Sequence, residues 1–281
     1  MKIALSVWSV HSYFNSGEWS HADLAEFVAN ETKATGIEVL TRYWKPEELE
    51  SFRAALDRHH LEVAAVGASN NFSFSDPAKR TEQVREITGA VDLARTLGTR
   101  IVRVFAGDVP PDGSSYDEVK GWIVEGLREA AAYAAEKDVL LCLENHGVFA
   151  GKADQVLGIL QEVNSPFLRS TFDTGNLLLV NEHPGEALET LHAQVAHVHF
   201  KDFVRVDEHY EGRAYPSLSG DRFAGRIAGE GSIDLNSLMT RLRHAGYNGW
   251  LTVEYEGDDE QKSGATRSVA NLDRILSTIY I

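Results

Sequence analysis

Disulfide chemistry is the first thing this sequence rules out: its 281 residues include one cysteine, Cys142, so no intrachain bridge can form. Basic residues are scarce as well. Lysine and arginine total 27 against 42 acidic residues, a formal net charge of -15. Nucleic acid is therefore not an expected partner, because binding to phosphates is driven by Lys and Arg displacing counterions. No run approaches the ~20 apolar residues of a membrane span. The opening "MKIALSVWSVHSYF" has neither an adequate apolar region nor a small-residue cleavage site for a signal peptide. The expectation is a cytoplasmic protein without a membrane partner. No GxGxxG, P-loop or GxSxG segment is present, and Cys142 lies in an apolar strand without an activating neighbour.

What is present is ordinary in bulk and regular in order. Hydrophobic residues make up 43% and charged residues 25%, usual values for a globular chain. Short aliphatic runs predict strands at 2–8, 36–40, 61–67, 100–105, 139–145, 168–173, 195–200 and 250–255. Between them lie amphipathic stretches such as "HADLAEFVANETKAT", "PEELESFRAALDRHH" and "YDEVKGWIVEGLREAAAYAAEK". Glycines in "LGT" (97–99), "AGYNG" (245–249) and "TGI" (35–37) read as helix stops. Eight strand–helix units with no linker between them predict a single (β/α)8 TIM barrel domain over 1–281. The competing open doubly wound sheet would carry a Gly-rich first turn, which is missing. The longest segment without clear periodicity, 201–229, would lie at the C-terminal mouth of such a barrel.

The polar residues collect at strand ends. In "VAHVHFKD" (195–202), Val195, His197 and His199 share one face of a strand and Ala196, Val198 and Phe200 the other. The last polar residues of four consecutive strands are Glu144, Asp173, His199 and Glu254. Three carboxylates converging on one barrel mouth could not all stay ionised unaided, and a divalent cation removes that cost. His197, one layer deeper, reads as a core or supporting histidine, Cys142 as an inert small hydrophobe, and His183 and His192 as solvated. An all-oxygen shell with one imidazole suits Mn²⁺ or Mg²⁺ better than a thiolate-seeking metal.

The segments "LENHG" (143–147), "FDTGN" (172–176), "HVHFKD" (197–202), "GEGSIDL" (229–235) and "GYNGWLTVEYEG" (246–257) resemble the signature segments of the xylose-isomerase-like TIM barrels. More narrowly they resemble the sugar phosphate isomerase/epimerase group, which includes ketose 3-epimerases, inosose dehydratases and hydroxypyruvate isomerases. The resemblance implies a divalent metal (Mn²⁺, Mg²⁺ or Co²⁺) held by Glu144, Asp173, His199 and Glu254. It also implies that Glu144 and Glu254 exchange the substrate proton through an enediolate. Arg205, six positions after His199, matches a substrate-contacting arginine of the epimerases, and His146 and Lys201 are further substrate-binding candidates. Asn176 stands where those epimerases usually carry histidine; an amide can bind a substrate hydroxyl but cannot titrate. In "GEGSIDL", Ser232 or Asp234 would cap the following helix, and Glu230 would be structural.

Three activities are carried forward. The first is a metal-dependent isomerase or epimerase of a sugar or sugar derivative, with a homo-oligomer left open. A lyase that dehydrates a keto-sugar or inosose would use the same enolate, with His146 or Lys201 as acid. A sugar-binding barrel without turnover is the third. The apurinic-site endonucleases of the same superfamily need extra histidines and a basic surface, which Asn176 and the acidity of the chain deny.

Overall fold

The computed structural model describes residues 1–110 and 112–279. Eight parallel strands close a barrel: β1 (Lys2–Ser6), β2 (Gly36–Leu40), β3 (Glu62–Gly67), β4 (Ile101–Val104), β5 (Leu140–Glu144), β6 (Leu168–Asp173), β7 (Val195–Phe200) and β11 (Trp250–Val253), with β11 pairing back onto β1. Around them run α1 (His11–Asn15), α2 (His21–Glu31), α3 (Leu49–His59), α4 (Pro77–Leu97), α5 (Tyr116–Glu136), α6 (Ala153–Val163), α7 (Asn176–Leu179), α8 (Pro184–Leu191), α9 (Leu235–His244) and α10 (Gln261–Ile279). The predicted (β/α)8 barrel is thus the observed architecture. Among the described residues no helix is long and apolar enough to cross a membrane.

Local chemistry sets the element ends. Ser20 with Asp23 and Ser115 with Glu118 form reciprocal capping boxes that start α2 and α5. Asp76 caps α4 ahead of Pro77, and Asp234, not Ser232, caps α9 by accepting from the Ser237 N–H. Gly98 ends α4 in the left-handed region at φ 82°. Gly36 behaves differently from the helix stop read in the sequence: α2 has already ended at Glu31, and Gly36 opens β2 under the ring of Trp250, where a Cβ would meet that ring at 2.5 Å.

Strand alternation divides the molecule into two layers. Ile37, Val102, Leu143, Phe172, Val198, Phe200 and Leu251 face outward into the apolar layer beneath the helices. Each large side chain so buried contributes about 1.5–3 kcal/mol. The alternate positions face the barrel axis, and toward its C-terminal end they are polar: Glu38, Arg103, Glu144, Asp173, His197 and His199 are all buried.

The 201–229 segment, without periodicity in the sequence, holds a three-stranded antiparallel sheet of β8 (Asp202–Val206), β9 (Tyr215–Pro216) and β10 (Arg222–Arg226). Its first residue is pinned, since the Asp202 carboxylate accepts from the N–H groups of Gly229, Gly231 and Ile233.

Two glycines of α5 should respond oppositely to the same change. A Cβ at exposed Gly121 meets nothing within 4 Å, whereas at buried Gly126 it would lie 2.2 Å from the Phe72 ring. In urea unfolding, Gly121→Ala should gain about 0.5–1 kcal/mol from helix propensity. Gly126→Ala should lose about 1–3 kcal/mol from overpacking.

Candidate active site

At the C-terminal mouth of the barrel the structure brings Glu144, Asp173, His199 and Glu254 together, with one ligand-type atom of each within 4.8 Å of the others. His199 Nδ1 faces the three carboxylates, at 3.5 Å from Glu144 Oε2, 4.0 Å from Asp173 Oδ2 and 3.5 Å from Glu254 Oε2. Asp173 and His199 lie side by side in register on β6 and β7, and Glu254 follows directly on the last residue of β11. Two of these atoms, His199 Nδ1 and Asp173 Oδ2, are buried without a hydrogen-bond partner. Buried polar atoms are seldom left so. Hard oxygen donors plus one imidazole, with two unsatisfied atoms aimed inward, fit a divalent cation.

The cluster is set in a web of charges. Lys201 is buried, and its Nζ lies 3.3 Å from Asp173 Oδ2, 3.1 Å from Glu254 Oε2 and 2.8 Å from Glu256 Oε1. It does not pair with Asp202, which is turned to the 229–233 backbone. On the opposite side the Arg103 Nε lies 3.2 Å from Glu144 Oε2, and its guanidinium stacks on the Phe105 ring. Glu38, on β2, has Oε2 2.8 Å from His197 Nε2 and 3.0 Å from His199 Nε2.

These contacts move the titrations of the groups. Burial raises the Asp173 carboxyl, and Glu144 and Glu254 add to this against Lys201, taking it to about 6. Burial would also raise Glu144, but His199 and the Arg103 guanidinium outweigh it and hold that carboxyl below its ordinary range. Burial opposes protonation of Lys201 and of His199, yet the surrounding carboxylates lift both well above their usual values. Glu256, nearly buried beside Lys201, is held down at about 2.

A cavity of about 390 Å³ opens onto the cluster, within the usual range for small-molecule sites. It is lined by Glu144, His146, Lys201, Glu254 and Glu256 together with Trp8, Arg42, Ser69, Asn70, Asn71, Arg103 and Phe105. His146 reaches it because its backbone N–H is bonded to the Ala150 carbonyl while its ring packs on Phe105 at 4.6 Å. Asn176 sits below the cavity, buried. Its side-chain amide donates to Glu144 Oε1 at 3.0 Å and its backbone N–H to Asp173 Oδ1 at 2.7 Å, so it braces two carboxylates.

Arg205 does not join these residues. The β8–β10 pairing carries it outward, where its side chain is 69% exposed, paired with Asp221, and on a separate surface depression. Arg213, Tyr215 and Phe223, which lie in the same 201–229 segment, are also absent from the cavity wall, and Lys201 is the part of 201–229 that lines it. The early strands supply what sequence reasoning missed. Glu38 in "GIEVL" and Arg103 in "RIVRVF" were legible only as polar residues at inward positions of otherwise apolar strands. Cys142 is buried inside the barrel with its thiol raised by burial, and His183 is exposed and caps α8.

The chain belongs to the xylose isomerase-like TIM barrel family, whose sequence profile matches residues 27–275. An inosose dehydratase of Clostridium botulinum (strain Eklund 17B / Type B) is 25% identical over 237 residues, covering 79% of this chain and 78% of that protein. Among solved structures, a D-tagatose 3-epimerase-like protein superposes with a TM-score of 0.76 at 22% identity, over 100% of this chain and 98% of its own. The IOLI protein with a binding zinc atom gives 0.76 at 20% identity, over 99% and 98%. The last two are likenesses of fold.

Two measurements check this geometry. Mn²⁺ at about one hundred times its dissociation constant should stabilise the wild type by about 2.7 kcal/mol in thermal unfolding. Asp173→Ala should show no such shift and carry no bound ion, and equal metal occupancy in the two proteins would remove Asp173 from the shell. Arg205→Ala should leave both metal content and substrate KM unchanged.

Proposed function

We propose that the chain is a metal-dependent enzyme that removes the proton beside the carbonyl of a polyhydroxylated keto compound, a keto-sugar or inosose, and then expels a β-hydroxyl as water. The observation that carries this reading is the sharing of one cavity by two carboxylates, Glu144 and Glu254, and two proton-bearing side chains, His146 and Lys201. A divalent ion held by Glu144, Asp173, His199 and Glu254 would polarise the substrate carbonyl and lower the cost of negative charge on its oxygen.

The residues then divide the work. Glu144 or Glu254 accepts the C–H proton, leaving the bonding pair to spread onto the carbonyl oxygen. Lys201, tied to three carboxylates, keeps its proton and contributes positive charge near that oxygen. His146 lines the same cavity with its ring packed on Phe105, apart from the carboxylates that hold Lys201. It protonates the departing hydroxyl while the electron pair returns to form the C=C bond, so the products are an enone and water. Ser69, Asn70 and Asn71 offer hydrogen bonds to the remaining hydroxyls, and Trp8 and Phe105 offer flat apolar faces to a ring. The inosose dehydratase relative supports elimination.

A second reading has its own observation. Glu144 and Glu254 are both cavity-lining and both beside His199 Nδ1, which gives a base to remove the proton and another to return it, as epimerisation or isomerisation needs. The likeness to a D-tagatose 3-epimerase-like protein accords with it.

Incubation of the metal-loaded protein in D₂O with ketoses, inososes and 3-keto sugars separates the two. Elimination is expected to yield a product lighter by one water. A product of unchanged formula with deuterium on the exchanged carbon would replace the lyase reading by the epimerase one. His146→Gln should slow water loss by about 100-fold or more while C–H exchange with solvent persists. Equal slowing of both would remove His146 from the role of acid.

A further inference from the structure

Glu38 is a buried charge that the proposed reaction leaves unused. It stands on β2, fully buried, and meets β7 across the barrel interior. One oxygen, Oε2, lies 2.8 Å from His197 Nε2 and 3.0 Å from His199 Nε2, and the other is 3.3 Å from Ser6 Oγ. A single oxygen between two imidazole nitrogens is satisfied when it accepts from both, and the ring nitrogen that donates fixes the tautomer of each ring. The opposite tautomer of His199 would set a lone pair against a buried carboxylate oxygen. With a hydrogen held on Nε2, Nδ1 is the ring nitrogen left to ligate an ion among Glu144, Asp173 and Glu254.

We propose that Glu38 is the positioning residue of the four-residue centre: it holds the hydrogen of His199 on Nε2 and so presents Nδ1 to the ion, while His197 on the same oxygen keeps the carboxylate from turning. This rests on reading Glu144, Asp173, His199 and Glu254 as a metal centre. It also gives the deeper histidine of "HVH" a task, since His197 shares the Glu38 oxygen while its ring packs edge-on against His199 at 5.3 Å.

The test is Mn²⁺ titration calorimetry on the wild type and Glu38→Gln, with thermal unfolding of both proteins in the metal-free state. The glutamine amide can donate to His199 Nε2 and permit the wrong tautomer, so Mn²⁺ should bind roughly 10–100-fold more weakly, as for other outer partners of metal-bound histidines. A lower metal-free Tm with unchanged Mn²⁺ affinity would mean a structural role only and overturn the proposal. Should Glu38→Gln fail to fold, the Zn²⁺-loaded wild type labelled with ¹⁵N-histidine decides. An exchange-protected His199 Nε2–H with Nδ1 on the ion is expected, and Nδ1–H with Nε2 on the ion would overturn it. Failure of the wild type to bind any divalent ion would overturn the metal centre itself and this inference with it, an outcome distinct from retained binding that is indifferent to Glu38.

Discussion

Buried charge at the mouth of a closed barrel is the constraint on which the rest depends. Glu38, Glu144, Asp173 and Glu254 are buried there and Glu256 nearly so, whereas the permanent cations among them are Arg103 and Lys201. An uncompensated carboxylate in such surroundings costs several kcal/mol. Each cation is therefore engaged, Lys201 by three carboxylates and Arg103 by Glu144, while Glu38 is met by the two histidines of β7. The negative excess that persists is concentrated around His199 Nδ1, which is where a divalent ion would be most stabilising.

That arrangement also distinguishes the two glutamates. Glu144 has Arg103 on Oε2 and the Asn176 amide on Oε1, so both oxygens are held. Glu254 has Lys201 on Oε2 and only a long contact, 3.4 Å, from Ser6 on Oε1. A carboxylate with both oxygens engaged is fixed in place and a weaker base, whereas one with a loosely held oxygen can turn and take a proton. For the proposed reaction this would make Glu254 the better placed of the two to accept the proton, and Glu144 the better placed to hold an ion and a substrate oxygen in register.

The architecture was legible because a parallel barrel repeats one signal eight times, and errors of a residue or two at strand ends do not alter the count. Residues of the late strands were legible for a narrower reason: "LCLEN", "STFD" and "HVHF" each end an apolar run on a ligand-type side chain. Glu38 and Arg103 carry the same inward phase but sit within their strands, where nothing separates them from an ordinary buried ion pair until the histidines and Glu144 are seen beside them. Arg205 was misplaced because spacing along the chain does not report direction. Asp202 is tied to the 229–233 backbone, and the short strands that follow turn the chain out over the surface. Strands of five, two and five residues, buried or half-buried along most of their length, leave no alternation for a periodicity argument to find.

Function and stability pull against each other in the two layers of this barrel. The outer layer is apolar and closely packed, and it fixes the backbone positions from which Asp173, His199 and the end of β11 project. The inner layer at the mouth is polar and would be more stable, on folding grounds alone, with hydrophobic side chains of similar size. Four of its buried atoms, Arg103 Nε, Asp173 Oδ2, His197 Nδ1 and His199 Nδ1, have no hydrogen-bond partner, and two of them belong to the four-residue cluster. Strand pairing on both sides of β6 and β7 keeps Asp173 and His199 from moving away from each other. A closed sheet without free edges suits such a site because it holds repelling groups together by backbone geometry, independent of any attraction between the groups themselves.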